Sequence, residues 1–210
     1  MKLHKNTVQP ATWDLLSGLM TLPELESFAL VGGTNLSLKL GHRISVDIDL
    51  FTNEPFDTDL VYEAVSTQYP QVIKLGERNQ TLWLTIDDVK IDFILHRYPY
   101  LKEIERFEGI RFLSLEDIIP MKLEAMATRG VKKDFWDLSY LLDIYSLEQM
   151  LECYKKKYPQ SDIGHVILSM TYFEDAEKQK TNPRDLNGIS WTKVKEKIRK
   201  EVFDFMKRQT

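Results

Sequence analysis

Cysteine is almost absent from this chain. Cys153 is the sole thiol in 210 residues, which excludes an internal disulfide and fits a reducing cytoplasm. Paired Cys/His spacing of the kind that builds zinc sites is missing too. No apolar run is long enough to span a bilayer, and the opening MKLHKNTVQP lacks the apolar stretch of a secretory signal. The expectation is a cytoplasmic protein with no membrane partner and no disulfide partner. There is no internal repeat and no low-complexity tract. Basic residues are in the minority, 28 Lys+Arg against 32 Asp+Glu for a net charge of −4, which does not mark an obvious nucleic-acid binder. The deficit is uneven, however. Residues 1–110 carry 10 basic and 16 acidic side chains, whereas residues 111–210 carry 18 and 16. Local basic patches, rather than the total, govern such binding.

What is present is an ordinary globular composition, 43% hydrophobic and 29% charged, with enough chain for one large domain or two small ones. Apolar spacing predicts a helix over about 10–20, then a short buried strand at SFALV (27–31) ending in Gly32-Gly33. A helix follows near TNLSLKL, with Thr34 as its N-cap candidate and Gly41 as its stop. VDIDLF (46–51) reads as a strand, 59–69 as a helix, and 72–76, 81–86 and 89–95 as strands, the last two joined by a turn at Asp87-Asp88. From about 114 the pattern is helical. Ser114 and Asp117 resemble a capping box, and Pro120 marks a kink or a fresh start. Helices are expected to Thr128, over 133–145 and 147–158, from about Ile163, and over 191–208. Residues 174–190 read as a long loop. The division predicted is 1–110, an α/β core with an N-terminal helix, and 111–210, a helical domain.

The chemistry sits in GGTNLSLKLGHRISVDIDLF (32–51). Aspartate is depleted from strands, yet Asp47 and Asp49 stand two apart, so they share one face while Val46, Ile48 and Leu50 share the other. VKIDFIL repeats the pattern with Asp92. If the two strands are neighbours, three carboxylates meet on one patch. Their repulsion is relieved by a divalent cation, and hard oxygen ligands favour Mg²⁺ or Mn²⁺. Two such ions can hold the attacking and leaving oxygens of a phosphoryl-type transfer. Gly32 and Gly33, at a strand-to-helix junction, form a phosphate cradle, to which Thr34 adds a hydroxyl. Each feature has a plainer reading, a turn for the glycines and a solvated strand for D-x-D, but their order along the chain is far more specific than either alone.

In that order the residues resemble the signature of the polymerase-beta-like nucleotidyltransferases, and more closely the AbiEii/AbiGii toxin family. The likeness lies in G-G-T-x-L-x-L, then H-R-x-S-x-D-I-D-L-F, then Lys122 through Arg129, then K-D-F-W-D-L at 133–138, and it spans about 28–145. It implies an α+β fold: a polymerase-beta-like core, with a small mixed sheet flanked by helices, followed by a C-terminal helical bundle that completes the active-site cleft. It further implies Asp47, Asp49 and Asp92 as metal ligands and catalytic residues, with Lys122 and Asp134 also catalytic. Gly32, Gly33, Thr34, Arg43, Lys122 and Arg129 would bind nucleotide. The residues themselves leave alternatives open. Lys122 and Arg129 also suit a solvated helix face, and Asp134 an N-cap with Asp137 favouring the helix dipole. Arg43 suits a structural salt bridge, and His42 is either a helix-end hydrogen-bonder or a base. Thr34 replaces the commoner serine of the signature but keeps the hydroxyl.

The function expected is Mg²⁺-dependent transfer of a nucleoside monophosphate from an NTP to an acceptor hydroxyl. The resemblance points to RNA such as a tRNA 3′ end, in a type IV toxin–antitoxin system with a cognate antitoxin. Acceptors on protein or on a small molecule stay open, as does a nucleotide-binding or protein-interaction module without turnover.

Overall fold

The computed structural model describes residues 2–209. The chain forms two compact units. The first runs up to Gly41 and then from Ser45 to Ser114; the second takes His42–Ile44 and the chain from Leu115 onward.

The first unit is built on a mixed sheet. Ala29–Leu30 (β1) runs into the helix Gly32–Leu40 (α2), and Ile48–Thr52 (β2) returns antiparallel to β1, with Leu30 opposite Leu50. Val89–Leu95 (β5) lies parallel to β2 on its other side, and Thr81–Ile86 (β4) and Ile73–Glu77 (β3) extend that edge antiparallel. Glu105–Phe107 (β6) and Ile110–Phe112 (β7) form a hairpin whose β7 runs parallel to β1, so the order is β3-β4-β5-β2-β1-β7-β6. Alternation along β2, β4 and β5 buries one face completely, through Ile48, Leu50, Leu82, Leu84, Ile91 and Phe93. The helices Pro10–Leu19 (α1) and Thr58–Gln68 (α3) add Leu16, Leu19, Val61 and Val65 to this core. Phe28 stands edge-on to Phe56 and Phe93, centroids 4.9 and 5.4 Å away. The opposite face, with Asp49, Phe51, Trp83, Asp92 and Ile94, stays partly exposed.

Two buried polar side chains stitch the frame. Asn35, in α2, donates its amide to the carbonyls of Leu30 and Leu113 at 2.7 and 3.0 Å, fixing the helix to two strand ends. Arg111 donates to the carbonyls of Phe28, Met20 and Leu25 at 2.8–2.9 Å, so the 20–28 loop is satisfied by a charged donor where it lacks a ladder.

Local expectations needed correction in several places. The strand at SFALV shrinks to two residues, and β2 begins only at Ile48. Val46 is 54% exposed instead of joining the core, and Asp47 precedes the strand. The helix after the glycines opens at Gly32 with Val31 as its N-cap, so Thr34 lies inside it and caps nothing. The β6–β7 hairpin leaves no mark in the sequence pattern: its strands have three residues each, with charges at Glu105, Arg106 and Arg111, too short for alternation to register.

The second unit is helical: Leu115–Arg129 (α4), Lys132–Leu141 (α5), Leu147–Lys157 (α6), Ile163–Ser169 (α7), Glu174–Glu177 (α8) and Trp191–Gln209 (α9). α4 continues through Pro120, and Gly130, at φ +52°, closes it by donating to the Met126 carbonyl. Trp136 stacks on Trp191 with planes 9° apart, beside Phe135 and Phe173. Ser146 and Gln149 form a reciprocal capping box on α6. Residues 174–190, expected as a plain loop, hold α8 and are anchored by Asp185. Its carboxylate accepts from Trp136 Nε1 (3.0 Å), Tyr140 (2.8 Å) and the N–H groups of Asn187 and Ile189 (2.9 Å). His42–Ile44 pairs with this segment, Ile44 N–H to Arg184 O and Leu186 N–H to His42 O, which draws the His-Arg step into the helical unit.

Candidate functional site

In the first unit the register sets Asp49 directly opposite Asp92 on the parallel strands β2 and β5. Neighbouring strands lie about 4.8 Å apart, and like charges facing each other there destabilise a sheet. The register thus brings two carboxylate-bearing residues to one face of the sheet. Trp83 faces Asp92 from β4. On the other side the chain turns from β1 into α2 against Asp49. Gly32 has φ +68°, and a Cβ there would fall 2.1 Å from Asp49 Oδ2. Only glycine suits both that backbone angle and that approach. The Val31 N–H also donates to the Asp49 carbonyl at 2.9 Å.

Asp47 lies two residues ahead of Asp49, outside the ladder. Its carbonyl accepts the Thr34 hydroxyl, which also pairs with Ser45 Oγ at 3.0 Å. Thr34 is fully buried, so its hydroxyl braces the approach to β2. Gly33 is partly exposed at the start of α2. Among the described residues no group of three His, Cys, Asp or Glu side chains is prearranged to hold a metal ion. The paired carboxylates of Asp49 and Asp92, all-oxygen donors, match the chemistry of a hard divalent cation.

In the second unit the sequence-predicted residues Arg43, Lys122, Arg129 and Asp134 come together in one ion network, joined by His42 and Asp137. Asp137, fully buried on α5, receives Lys122 Nζ at 2.6 Å, Arg43 Nε at 2.6 Å, Arg43 Nη2 at 2.9 Å and His42 Nε2 at 2.8 Å. Asp134, one turn earlier and also fully buried, accepts from Lys122 at 3.2 Å and from Arg129 at 2.8 and 2.9 Å. The seven-residue spacing of Lys122 and Arg129 thus does place both on one face of α4. Burial alone would raise both carboxyls, but the surrounding cations outweigh it. Asp137 is held well below the ordinary carboxylate range, chiefly by Arg43 and Lys122, and Asp134 is lowered by Lys122 and Arg129. Lys122, which burial would lower, is raised instead by Asp137 and Asp134. Arg129 is the most exposed member of the network, its side chain 50% exposed. The N-cap reading of Asp134 fails, since Val131 holds that position.

Asp137 was the member whose role the sequence hid. Its spacing from Asp134 puts both carboxylates on one helix face, but helix-end placement explained them as well until the cations from α4 and from His42–Arg43 were located.

A family model described as "Nucleotidyl transferase AbiEii toxin, Type IV TA system" matches residues 14–204. The chain belongs to the AbiEii nucleotidyl transferase toxin family. As a member it is a nucleotidyltransferase of a toxin–antitoxin family. An uncharacterised protein of Aquifex aeolicus (strain VF5) is 33% identical over 202 residues, covering 92% of this chain and 95% of that protein. Among solved structures, a Helicobacter pylori protein provisionally assigned as a nucleotidyltransferase aligns over 95% of this chain and 96% of its own, at TM-score 0.60 and 17% identity. MenT4, a nucleotidyltransferase toxin of Mycobacterium tuberculosis H37Rv, aligns over 92% and 84%, at TM-score 0.56 and 13% identity. At such identities these structures establish a shared fold: the α+β nucleotidyltransferase architecture expected from the sequence holds. No helix among the described residues is long and apolar enough to cross a membrane.

Proposed function

We propose that this AbiEii-family enzyme transfers a nucleoside monophosphate from an NTP to a hydroxyl of RNA, such as a tRNA 3′ end, as the toxin partner of a cognate antitoxin. The acceptor oxygen bonds to the α-phosphorus, the α–β bridging bond breaks, and pyrophosphate leaves with the electron pair. The single observation behind this reading is the Asp49–Asp92 pair held at the Gly32 junction. Asp49 and Asp92, with Asp47, would hold Mg²⁺ or Mn²⁺, which when bound neutralises charge on the phosphates and lowers the barrier to displacement. Gly32 and Gly33 would offer backbone close to the triphosphate. Thr34 keeps the Asp47 segment in place, and Asp92 is the carboxylate that would receive the acceptor proton.

Arg129 is proposed as a phosphate contact, because its side chain is half exposed and a guanidinium suits phosphate oxygens. Lys122, Arg43 and Asp134 then act as positioning residues that fix Arg129 and one another.

The test is incubation of radiolabelled NTPs with total cellular RNA and Mg²⁺, using wild type and Asp49→Ala. Labelled RNA is expected with wild type, and at least about 100-fold less with the variant, since even outer partners of a metal site cost up to that much. Equal labelling by both proteins removes the assigned carboxylate site. Label arriving on protein or on small molecules, with none on RNA, replaces the acceptor.

A further inference from the structure

Lys132 and Lys133 open α5, the helix end at which the macrodipole disfavours cations. Lys132 is only 6% exposed. Its ammonium donates to the Gln179 carbonyl at 2.7 Å and to Asn182 Oδ1 at 3.0 Å, and lies 5.7 Å from the Trp191 ring centre. Both oxygens are neutral. Glu177, a carboxylate that feels this charge, is itself bonded to Lys195 at 2.5 Å. A buried charge is costly unless paired, and an ammonium has three donors, of which two are used here. Lys132 lines a cleft of ≈ 270 Å³ with Lys133, Arg43, Thr181 and Asn182, and no Asp or Glu lines it. The Arg43 guanidinium is committed to Asp137. The first N–H of α5 is met by Gln179 Oε1, a neutral amide, at 2.9 Å.

We propose that this cleft binds one backbone phosphate of a polynucleotide, a contact that rests on the reading of RNA as the acceptor. Lys132 supplies the buried charge and its remaining N–H, and Thr181 offers a neutral donor. A phosphodiester carries a single negative charge and suits one buried cation. A nucleoside triphosphate arrives with a divalent cation that needs carboxylate oxygens, and the cleft lining has none.

Asn182→Asp tests this without changing the shape of the side chain. The new carboxylate accepts the same hydrogen bond and satisfies Lys132 from within, so the fold is retained. Lys132→Met is the companion variant. Binding of a short single-stranded oligoribonucleotide to the full chain is measured over a series of salt concentrations, alongside binding of a fluorescent NTP. Asn182→Asp is expected to weaken RNA binding about tenfold or more and to make the log–log salt slope shallower by ~0.7, the value of one phosphate contact on a single strand. NTP binding is expected to stay at the wild-type level, and inorganic phosphate to compete weakly for the wild-type cleft only. Unchanged RNA affinity and slope in Asn182→Asp overturn the proposal. Loss of NTP binding with RNA binding intact overturns it as well, by assigning the cleft to the triphosphate. Pyrophosphate release by wild type, scored in parallel, reports on the transfer reading separately. Its absence while the RNA effect is present would leave the phosphate cleft standing and remove the transfer.

Discussion

Gly32 shows how much of the site depends on a missing atom. With φ at +68° and Asp49 Oδ2 where a Cβ would lie, Gly32→Ala has to move either the start of α2 or the carboxylate. We expect a loss of transfer activity of about 100-fold, the scale of an ångström's misplacement in an active site, with the far-ultraviolet circular dichroism unchanged. Asp137 makes the opposite contribution, to stability. Removing it leaves Lys122 and Arg43 buried without their common partner, so Asp137→Ala should destabilise by about 3–5 kcal/mol in urea unfolding. Because the Asp137 carboxyl is held well below its ordinary value, its contribution is complete above the unfolded-state value near 4 and is lost as the pH falls through the lower folded-state value. The stability advantage of wild type over Asp137→Asn, followed by urea midpoint, should therefore be constant from neutral pH down to about 4 and shrink in more acid solution. A constant difference to the acid end would contradict the depressed carboxyl.

At the level of elements, turn chemistry is where the sequence spoke most clearly. Asp87 and Asp88 take φ of 48° and 65°, both positive as a two-residue hairpin turn of the mirror-image type requires. Asp tolerates that region but glycine does so without cost. Asp88→Gly should raise stability by about 0.5–1 kcal/mol, read as a higher urea midpoint at unchanged m-value. The same turn logic was present at Glu108-Gly109, with φ of 49° and 79°, but the flanking strands are too short to signal a hairpin by themselves. The Asp47–Asp49 pattern is legible in the sequence, but β2 begins at Ile48, two residues later than the alternation suggests. Val46 looks like a core residue in sequence, yet the backbone there is still held by Thr34 and Ser45 outside the ladder. The D-x-x-D of α5 was visible as spacing only. What it binds comes from Lys122, twelve residues before Asp134, and from Arg43, 94 residues before Asp137, and no local rule reaches that far.

Across the whole molecule, the chain combines a sheet unit that sets two carboxylates side by side with a helical unit that gathers cations around two buried aspartates. The family assignment fixes the class of chemistry as nucleotidyl transfer. The central proposal is that Asp49 and Asp92 hold a divalent cation, since their register sets two hard oxygen donors opposite each other. Binding of Mn²⁺ to the full chain, followed by electron paramagnetic resonance with an NTP present, tests this most directly. Wild type is predicted to bind Mn²⁺, and the doubly substituted Asp49→Asn, Asp92→Asn protein to lose that binding while keeping its circular dichroism spectrum. Equal Mn²⁺ affinity in the two proteins would contradict the account.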